Sequence, residues 1–297
     1  MIACFDVGGT SIKYAVVDKG GALEHQGSFT FEDKADVIFD AIAAKVEEMR
    51  RAFTIEGIGV AAPGAVRPDG VIGGLSALKS IHGPNWLEEL GSRCGLPVSI
   101  ENDANCAALA ESHLGCARGL DDVAFVVIGS GIGGTLLHKG EILRGAHGYA
   151  GEFGYAIFNQ GEAGCQTYSE LAATEALSRA IRKAKGDEAL TGKDAFELAQ
   201  GGDEAAQRLV REFYAQNAIG IYNLQYIYDP DAMVLGGAVT RQDDFAERLG
   251  EALDAVMEQT GNRYITPRLE LCQFGPEANL VGAYVHHCMT YGREYEG

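Results

Sequence analysis

Asp6, Thr10 and Lys13 surround a pair of glycines, Gly8-Gly9, in a chain of 297 residues. A carboxylate, a hydroxyl and an ammonium group around bare backbone amides can hold a magnesium ion and a phosphate tail. The same residues also fit a plain hairpin with a surface aspartate. A second chemical stretch is Glu101-Asn-Asp-Ala-Asn105, which follows the apolar run Leu96–Ile100 and precedes the small residues Cys106, Ala107, Ala108 and Ala110. It reads as a strand entering the N-terminus of a close-packed helix, the junction at which open α/β sheets bind ligands. Asp103 falls in the first helical turn, where the ordinary role of an aspartate is to stabilise the helix dipole. A third is Glu152, held between Gly151 and Phe153-Gly154 in a loop of small residues from Arg144 to Tyr155.

The elements that must carry these groups follow from the pattern. Ile2–Asp18 predicts strand, glycine turn, strand, with Ile12, Tyr14 and Val16 alternating against Ser11, Lys13 and Ala15. Val123–Leu137 repeats the arrangement: an apolar run, the turn Gly129-Ser-Gly-Ile-Gly-Gly134, and a second apolar run. Two such units predict two related halves. Between them lie a third strand at Ala22–Thr30, a helix at Ala35–Arg51 and a buried strand at Gly57–Ala61. The turn Ala62-Pro63-Gly64 ends that strand. A glycine-rich loop, Ala65–Pro84, is of a length that is usually functional, and Asn85 predicts the N-cap of a helix at Trp86–Cys94. Further on, helices are expected at Ser169–Lys185, Lys193–Ala199, Asp203–Tyr228, around Phe245–Val256 and at Glu277–Met289. Strands are expected at Ala232–Leu235 and Arg268–Cys272. Strands and helices alternate outside the hairpins, so the class is α/β with mixed sheets.

Composition narrows the function. Hydrophobic residues make up 46% and charged residues 22%, an ordinary globular profile. The net charge of −18 argues against nucleic acid as a partner. It also means that an anionic nucleotide would need local amides, a lysine and a metal ion to offset the overall field. The seven cysteines are scattered, with no Cys-x-x-Cys pair, which predicts reduced thiols and a cytoplasmic protein. No signal peptide and no membrane-spanning run is expected.

Some motifs point elsewhere. Gly129-Ser-Gly-Ile-Gly-Gly134 matches the dinucleotide fingerprint, but that fingerprint needs a helix directly afterwards, and Thr135-Leu136-Leu137 reads as strand. Gly192-Lys193 lacks the remainder of a Walker loop, having Asp187 and Asp194 at the required places. His286 and His287 read as ordinary residues of the last helix.

Five motifs in order, Asp6-Val-Gly-Gly-Thr10, Glu101-Asn-Asp-Ala-Asn105, Gly129–Gly134, Gly148-Tyr-Ala-Gly-Glu-Phe-Gly154 and Leu235-Gly-Gly-Ala238, resemble the ROK family of sugar kinases over nearly the whole chain. The resemblance implies a two-domain actin-like, hexokinase-like (ribonuclease H-like) ATPase fold around a cleft. One domain would be 1–117 completed by the C-terminal helix in 276–297, the other 118–275. It implies transfer of the γ-phosphate of ATP to a sugar hydroxyl, usually the 6-hydroxyl of a hexose. By position, Asp103 resembles the catalytic base, and Asn102 and Glu152 resemble sugar ligands, with Gly64 and Tyr155 also at the sugar site. Asp6 resembles the residue that holds Mg-ATP. Gly8, Gly9 and Thr10, with Lys13, resemble the first phosphate turn, Gly131 and Gly133 the second, and Gly236 and Gly237 the adenosine turn.

The family also holds repressors with a DNA-binding helix-turn-helix ahead of the first motif. Here that motif starts at Asp6, so a repressor is not expected. Many members carry a histidine three residues after the Glu152 position and a cysteine run that together bind zinc. Here the histidine position is Tyr155, and only Gly164-Cys165 remains of the run. The resemblance is therefore to the zinc-free branch, which includes β-glucoside kinases. N-acetylmannosamine kinase and glucokinase are the alternatives, and a non-catalytic sugar-binding regulator is the more remote one. Specificity would lie around Gly70–Pro84 and Gly145–Tyr155, and the resemblance implies a homodimer.

Overall fold

The structure is a computed structural model that describes residues 1–74, 78–161 and 164–295. The chain forms two compact units. Unit 1 comprises Met1–Gly119, Gly140–Tyr149 and Gln273–Gly297, and unit 2 comprises Leu120–Lys139 and Ala150–Cys272. Residues 75–77 of the expected specificity loop and the last residues of the expected first domain lie outside the described residues. Gly140–Tyr149, within the residues expected for the second domain, falls in unit 1. There the His113 Nε2 meets the Gly140 carbonyl at 2.9 Å, and Arg144 pairs with buried Glu101.

Unit 1 opens with β1 (Ile2–Val7), β2 (Ser11–Val17) and β3 (Leu23–Thr30), joined in antiparallel fashion. α1 (Ala35–Met49) then leads to β4 (Gly57–Ala62), parallel to β1. The glycine-rich segment contains a small antiparallel ribbon, β5 (Ala65–Val66) with β6 (Ile72–Gly73). α2 (Trp86–Cys94), β7 (Val98–Asn102) and α3 (Asp103–Leu114) follow, and the sheet order is β3-β2-β1-β4-β7. Asn85 caps α2 by accepting from the amides of Leu87 at 3.1 Å and Glu88 at 3.2 Å.

The face that β4 turns to α1 and α2 is apolar and large: Ile58 and Val60 pack with Ile38, Phe39, Ile42, Trp86 and Leu90. Trp86 meets Phe39 edge-on at 4.9 Å and gives its indole N–H to the Ile81 carbonyl. The opposite face of β4 alternates glycine, Gly57 and Gly59, because another helix lies directly on it. A Cβ on Gly59 would stand 2.6 Å from the Ala283 carbonyl oxygen.

The chain continues into unit 2 with the antiparallel pair β8 (Asp122–Ile128) and β9 (Ile132–His138), and β10 (Glu141–Ile142) follows in unit 1. Unit 2 resumes with β11 (Ile157–Gly161) and β12 (Gly164–Thr167), then α4 (Tyr168–Ala172), α5 (Thr174–Lys185), α6 (Gly192–Gln200) and α7 (Glu204–Tyr228). β13 (Ala232–Gly236), α8 (Phe245–Thr260) and β14 (Leu269–Leu271) complete it. β13 runs parallel to both β8 and β14, so the unit repeats the pattern of unit 1: an antiparallel hairpin beside parallel strands. Its core gathers Val126, Ile128, Tyr168, Leu177, Ile181, Phe196, Phe213, Tyr214, Ile221, Leu235, Phe245 and Leu249.

The final helix, α9 (Ala278–Tyr291), returns to unit 1 and covers the glycine face of β4 while crossing α3. Gly282 permits the crossing, since a Cβ there would overlap the backbone of Cys106. His286 and His287 do lie in this helix, but both are turned into the unit. Burial holds the His287 imidazole down at about pKa 4.

One expectation from periodicity is corrected. The helix expected over Ser169–Lys185 is two helices, broken at Ala173, whose ψ of 160° is extended. The break frees Thr174 to bind elsewhere, and its amide and hydroxyl both donate to the Gly129 carbonyl, at 2.8 and 2.7 Å. The ribbon β11–β12 was not expected, because its exposed residues show little alternation.

Candidate active site

In unit 1 the candidate site residues collect at the carboxyl ends of the three parallel strands β1, β4 and β7. Register sets Asp6 beside Ala61 in β4 and opposite Lys13 in β2, and sets Ala61 beside Glu101 and Ala62 beside Asn102. The position follows from strand direction alone, since the loops that leave the carboxyl ends open on one edge of the sheet.

Asp6 is buried, with its Oδ2 3.5 Å from the Lys13 Nζ and its Oδ1 accepting from the Asn279 amide at 3.1 Å. Lys13 also donates to the Pro276 carbonyl at 3.3 Å. The turn after β1 is closed by the Gly8 amide on the Ser11 carbonyl at 3.0 Å, while Gly9 and Thr10 stand exposed. Among the described residues nothing approaches within 4 Å of where a Gly9 side chain would start, so the turn offers uncovered backbone.

At the end of β7, Asn102 caps α3: its Oδ1 accepts from the Asn105 amide at 3.1 Å, and its Nδ2 donates to the Gly64 carbonyl at 3.0 Å. Gly64 adopts φ +103, and a Cβ there would stand 2.8 Å from Ile72, so this turn requires glycine. Asp103 is the first residue of α3, and its carboxylate accepts from the Ala104 amide at 2.8 Å. Burial raises the Asp103 pKa, the Ala104 amide opposes that, and the negative charge of Asp6 adds to it. A carboxylate so shifted is a stronger proton acceptor than an ordinary aspartate.

Behind this edge lies Glu101, only 1% exposed. Its Oε1 accepts from the Asn102 amide at 2.7 Å, from Asn105 Nδ2 at 2.9 Å and from Arg144 Nη1 at 3.1 Å, and its Oε2 pairs with Arg144 Nη2. Burial alone would raise its pKa, but the Arg144 guanidinium outweighs it and holds the carboxyl below the usual range. Neither Glu101 nor Arg144 was assigned a role from sequence, although both lie inside quoted motifs. Asn279 carries no sequence signal at all.

In unit 2 the glycine turn Gly129–Gly133 leaves β8, and Gly236-Gly237 leaves the neighbouring strand β13. Gly237 adopts φ +107, and a Cβ on it would overlap the Ile128 carbonyl oxygen, so the two turns touch through backbone. Among the described residues nothing covers Gly133, and Gly131 has only the Ser169 hydroxyl nearby. Ser169 accepts from the Ile132 amide at 2.9 Å and, with Thr174, pins the first turn. Because β9 begins at Ile132, the dinucleotide reading of these glycines fails as expected. A cavity of about 580 Å³ adjoins the second turn, lined by Thr174, Arg182, Phe196, Val239 and Gln242 among others.

The loop that carries Glu152 is pressed onto this sheet. A Cβ on Gly151 would stand 2.8 Å from the Gly134 carbonyl oxygen, and one on Gly154 would overlap the Ile132 carbonyl and the Ser169 hydroxyl. Glu152 itself is exposed, while partial desolvation of its carboxyl raises its pKa. Tyr155 is 73% exposed.

The donor set fits a magnesium ion that travels with a nucleotide. Among the described residues no group of three or more His, Cys, Asp or Glu side chains could cage a metal. A single carboxylate at Asp6 beside an open glycine turn is what such an ion needs, because it keeps waters and phosphate oxygens as its other ligands. Cys165 is exposed. Among the described residues no helix is long and apolar enough to cross a membrane.

Comparison with known proteins agrees with this fold. The ROK family profile matches residues 2–287. The β-glucoside kinase of Listeria monocytogenes is 36% identical over 302 residues, covering 98% of this chain and 99% of that protein. Among solved structures, a ROK family protein from Streptococcus pneumoniae in complex with sucrose superposes with TM-score 0.90 at 32% identity, covering 98% of this chain and 99% of the other. A ROK family glucokinase from Streptomyces griseus, in complex with glucose and AMPPNP, superposes with TM-score 0.73 at 28% identity, covering 95% and 97%. With a family match that runs from the first strand into the last helix, the chain belongs to the ROK family.

Proposed function

We propose that the protein is an ATP-dependent sugar kinase that phosphorylates the 6-hydroxyl of a hexose or β-glucoside, with Asp103 as general base. The observation that carries this reading is the Asp103 carboxylate, held on the Ala104 amide at the strand-to-helix junction, its pKa raised by burial. Asp103 takes the proton of the attacking hydroxyl as the γ-phosphoryl group leaves ATP in line. Asn102 and Glu152 orient the sugar through its ring hydroxyls, with Gly64 and Tyr155 bordering the same substrate.

The amides of Gly8, Gly9 and Thr10, the Lys13 ammonium, and the amides at Gly131 and Gly133 bind phosphate oxygens, where charge develops during transfer. Gly236-Gly237 and the adjoining cavity receive the nucleoside. Asp6 would hold Mg²⁺, which when bound offsets negative charge on the phosphates. No structural zinc is part of this reading, and the assembly is a homodimer.

The relatives named β-glucoside kinase and the exposed Tyr155 support a substituted glucoside as substrate. The test is kcat/KM with ATP for cellobiose, glucose and N-acetylmannosamine side by side. Cellobiose at least as good as glucose supports the β-glucoside assignment. A strong preference for either monosaccharide, with cellobiose inert, removes that assignment and leaves the kinase.

A further inference from the structure

We infer that Arg144 is a positioning residue for the base: through Glu101 it holds the Asn102-Asp103 backbone in register with the start of the loop that carries Glu152. The inference rests on Asp103 being the base. Among the described residues Glu101 has no other strong partner for its buried charge. His286 Nδ1 lies 3.9 Å away, but burial lowers the His286 pKa and favours its neutral form. The remaining groups around the carboxylate, the Asn102 amide and Asn105 Nδ2, are neutral donors. Arg144 therefore supplies the compensating charge, and a buried carboxylate that loses it must take up a proton or move.

Either response reaches the active site in one residue. The Glu101 oxygen that receives Arg144 Nη1 also receives the Asn102 amide, and Asp103 is the next residue. At the other end, Arg144 begins a segment in which Gly145, Gly148 and Gly151 all take positive φ, at +69, +76 and +93. Such a segment has little conformational preference of its own. It is fixed at its start by Arg144 on Glu101, and near Glu152 by Gly151 against Gly134. Arg144 thus ties the start of that segment and the base to one buried carboxylate.

A cavity of about 260 Å³ reaches this pair, lined by Arg67, Leu87, Val98, Glu101, Arg144 and His286 among others. The opening makes the proposal testable by chemical rescue, because a guanidinium ion can enter where the Arg144 side chain is removed. In Arg144→Ala, kcat with sugar and ATP is expected to fall by about 10²-fold, with both KM values near those of the wild type. Guanidinium chloride at about 10–50 mM, where screening of surface charges is still moderate, is expected to restore much of the lost kcat. Urea at the same concentration, similar in shape but neutral, is expected to restore none. Wild type and Asp103→Asn are measured alongside and should gain nothing from guanidinium.

A kcat for Arg144→Ala close to wild type, or a deficit that guanidinium leaves unchanged, overturns the inference. Should Arg144→Ala fail to fold, Arg144→Gln fills much of the same space but loses the charge. An unchanged kcat in that variant overturns the inference equally, and a lowered kcat at unchanged Tm supports it. A wild-type enzyme inert with every sugar fails the kinase reading itself, which distinguishes that failure from this one.

Discussion

The Asn102 side-chain amide donates to the Gly64 carbonyl at 3.0 Å, so the residue that caps α3 also clamps the turn that leaves β4. One side chain thereby fixes two of the strand ends that border the proposed sugar site. Asn102→Ala is expected to lower stability by about 1 kcal/mol, the usual value of a lost N-cap, and to raise the sugar KM while the ATP KM stays put. Denaturant titration and steady-state kinetics check both, and an unaltered sugar KM would remove Asn102 from the substrate contacts.

Gly237 is the corresponding fixed point of unit 2. Its φ of +107 and the overlap that a Cβ would make with the Ile128 carbonyl leave no room for a side chain. In Gly237→Ala, strain of about 1–3 kcal/mol from the backbone conformation alone should disturb the adjoining glycine turn. Calorimetry with a non-hydrolysable ATP analogue is expected to record weaker nucleotide binding, with sugar binding retained. Equal nucleotide affinity in variant and wild type would move the adenosine site elsewhere.

Asp103 also predicts a pH dependence. The base works only when deprotonated, and burial, with the charge of Asp6 adding to it, raises its pKa. As pH falls through that raised pKa, Asp103 protonates and kcat/KM declines. The acid limb should therefore lie above the ordinary aspartate value of about 3.9. A limb at or below that value would contradict the environment described for Asp103.

Zinc gives a separate check. Cys165 is exposed, and a structural zinc needs four ligands. Elemental analysis of the purified protein is expected to find no stoichiometric zinc, and a chelator should leave the melting curve unchanged. About one zinc per chain would require ligands distant from one another in sequence.

Much of this architecture was legible because its signals are local. The two glycine hairpins, the Asn85 cap and the strand-to-helix junction at Asn102-Asp103 are each written within a few consecutive residues, and each is found where its pattern puts it. What escaped depends on partners far apart in the chain. Ala173 looks like any helical alanine, and its extended backbone makes sense only with Thr174 bonded to Gly129. The alternation Gly57-Ile58-Gly59-Val60 reads as a buried strand, but only α9, more than two hundred residues later, explains why one side must be glycine. Arg144 sits among small residues that suggest a loop, and its charge acquires meaning from Glu101, 43 positions earlier.

The central claim, that Asp103 is the base of an ATP-dependent sugar phosphorylation, is tested most directly by sugar-dependent phosphoryl transfer in Asp103→Asn beside wild type. Formation of the sugar 6-phosphate and binding of the ATP analogue are measured on the same preparations. The account predicts a rate lower by about 10²–10⁴-fold, with the nucleotide still bound at wild-type affinity. Phosphoryl transfer by Asp103→Asn at a near-normal kcat would contradict it.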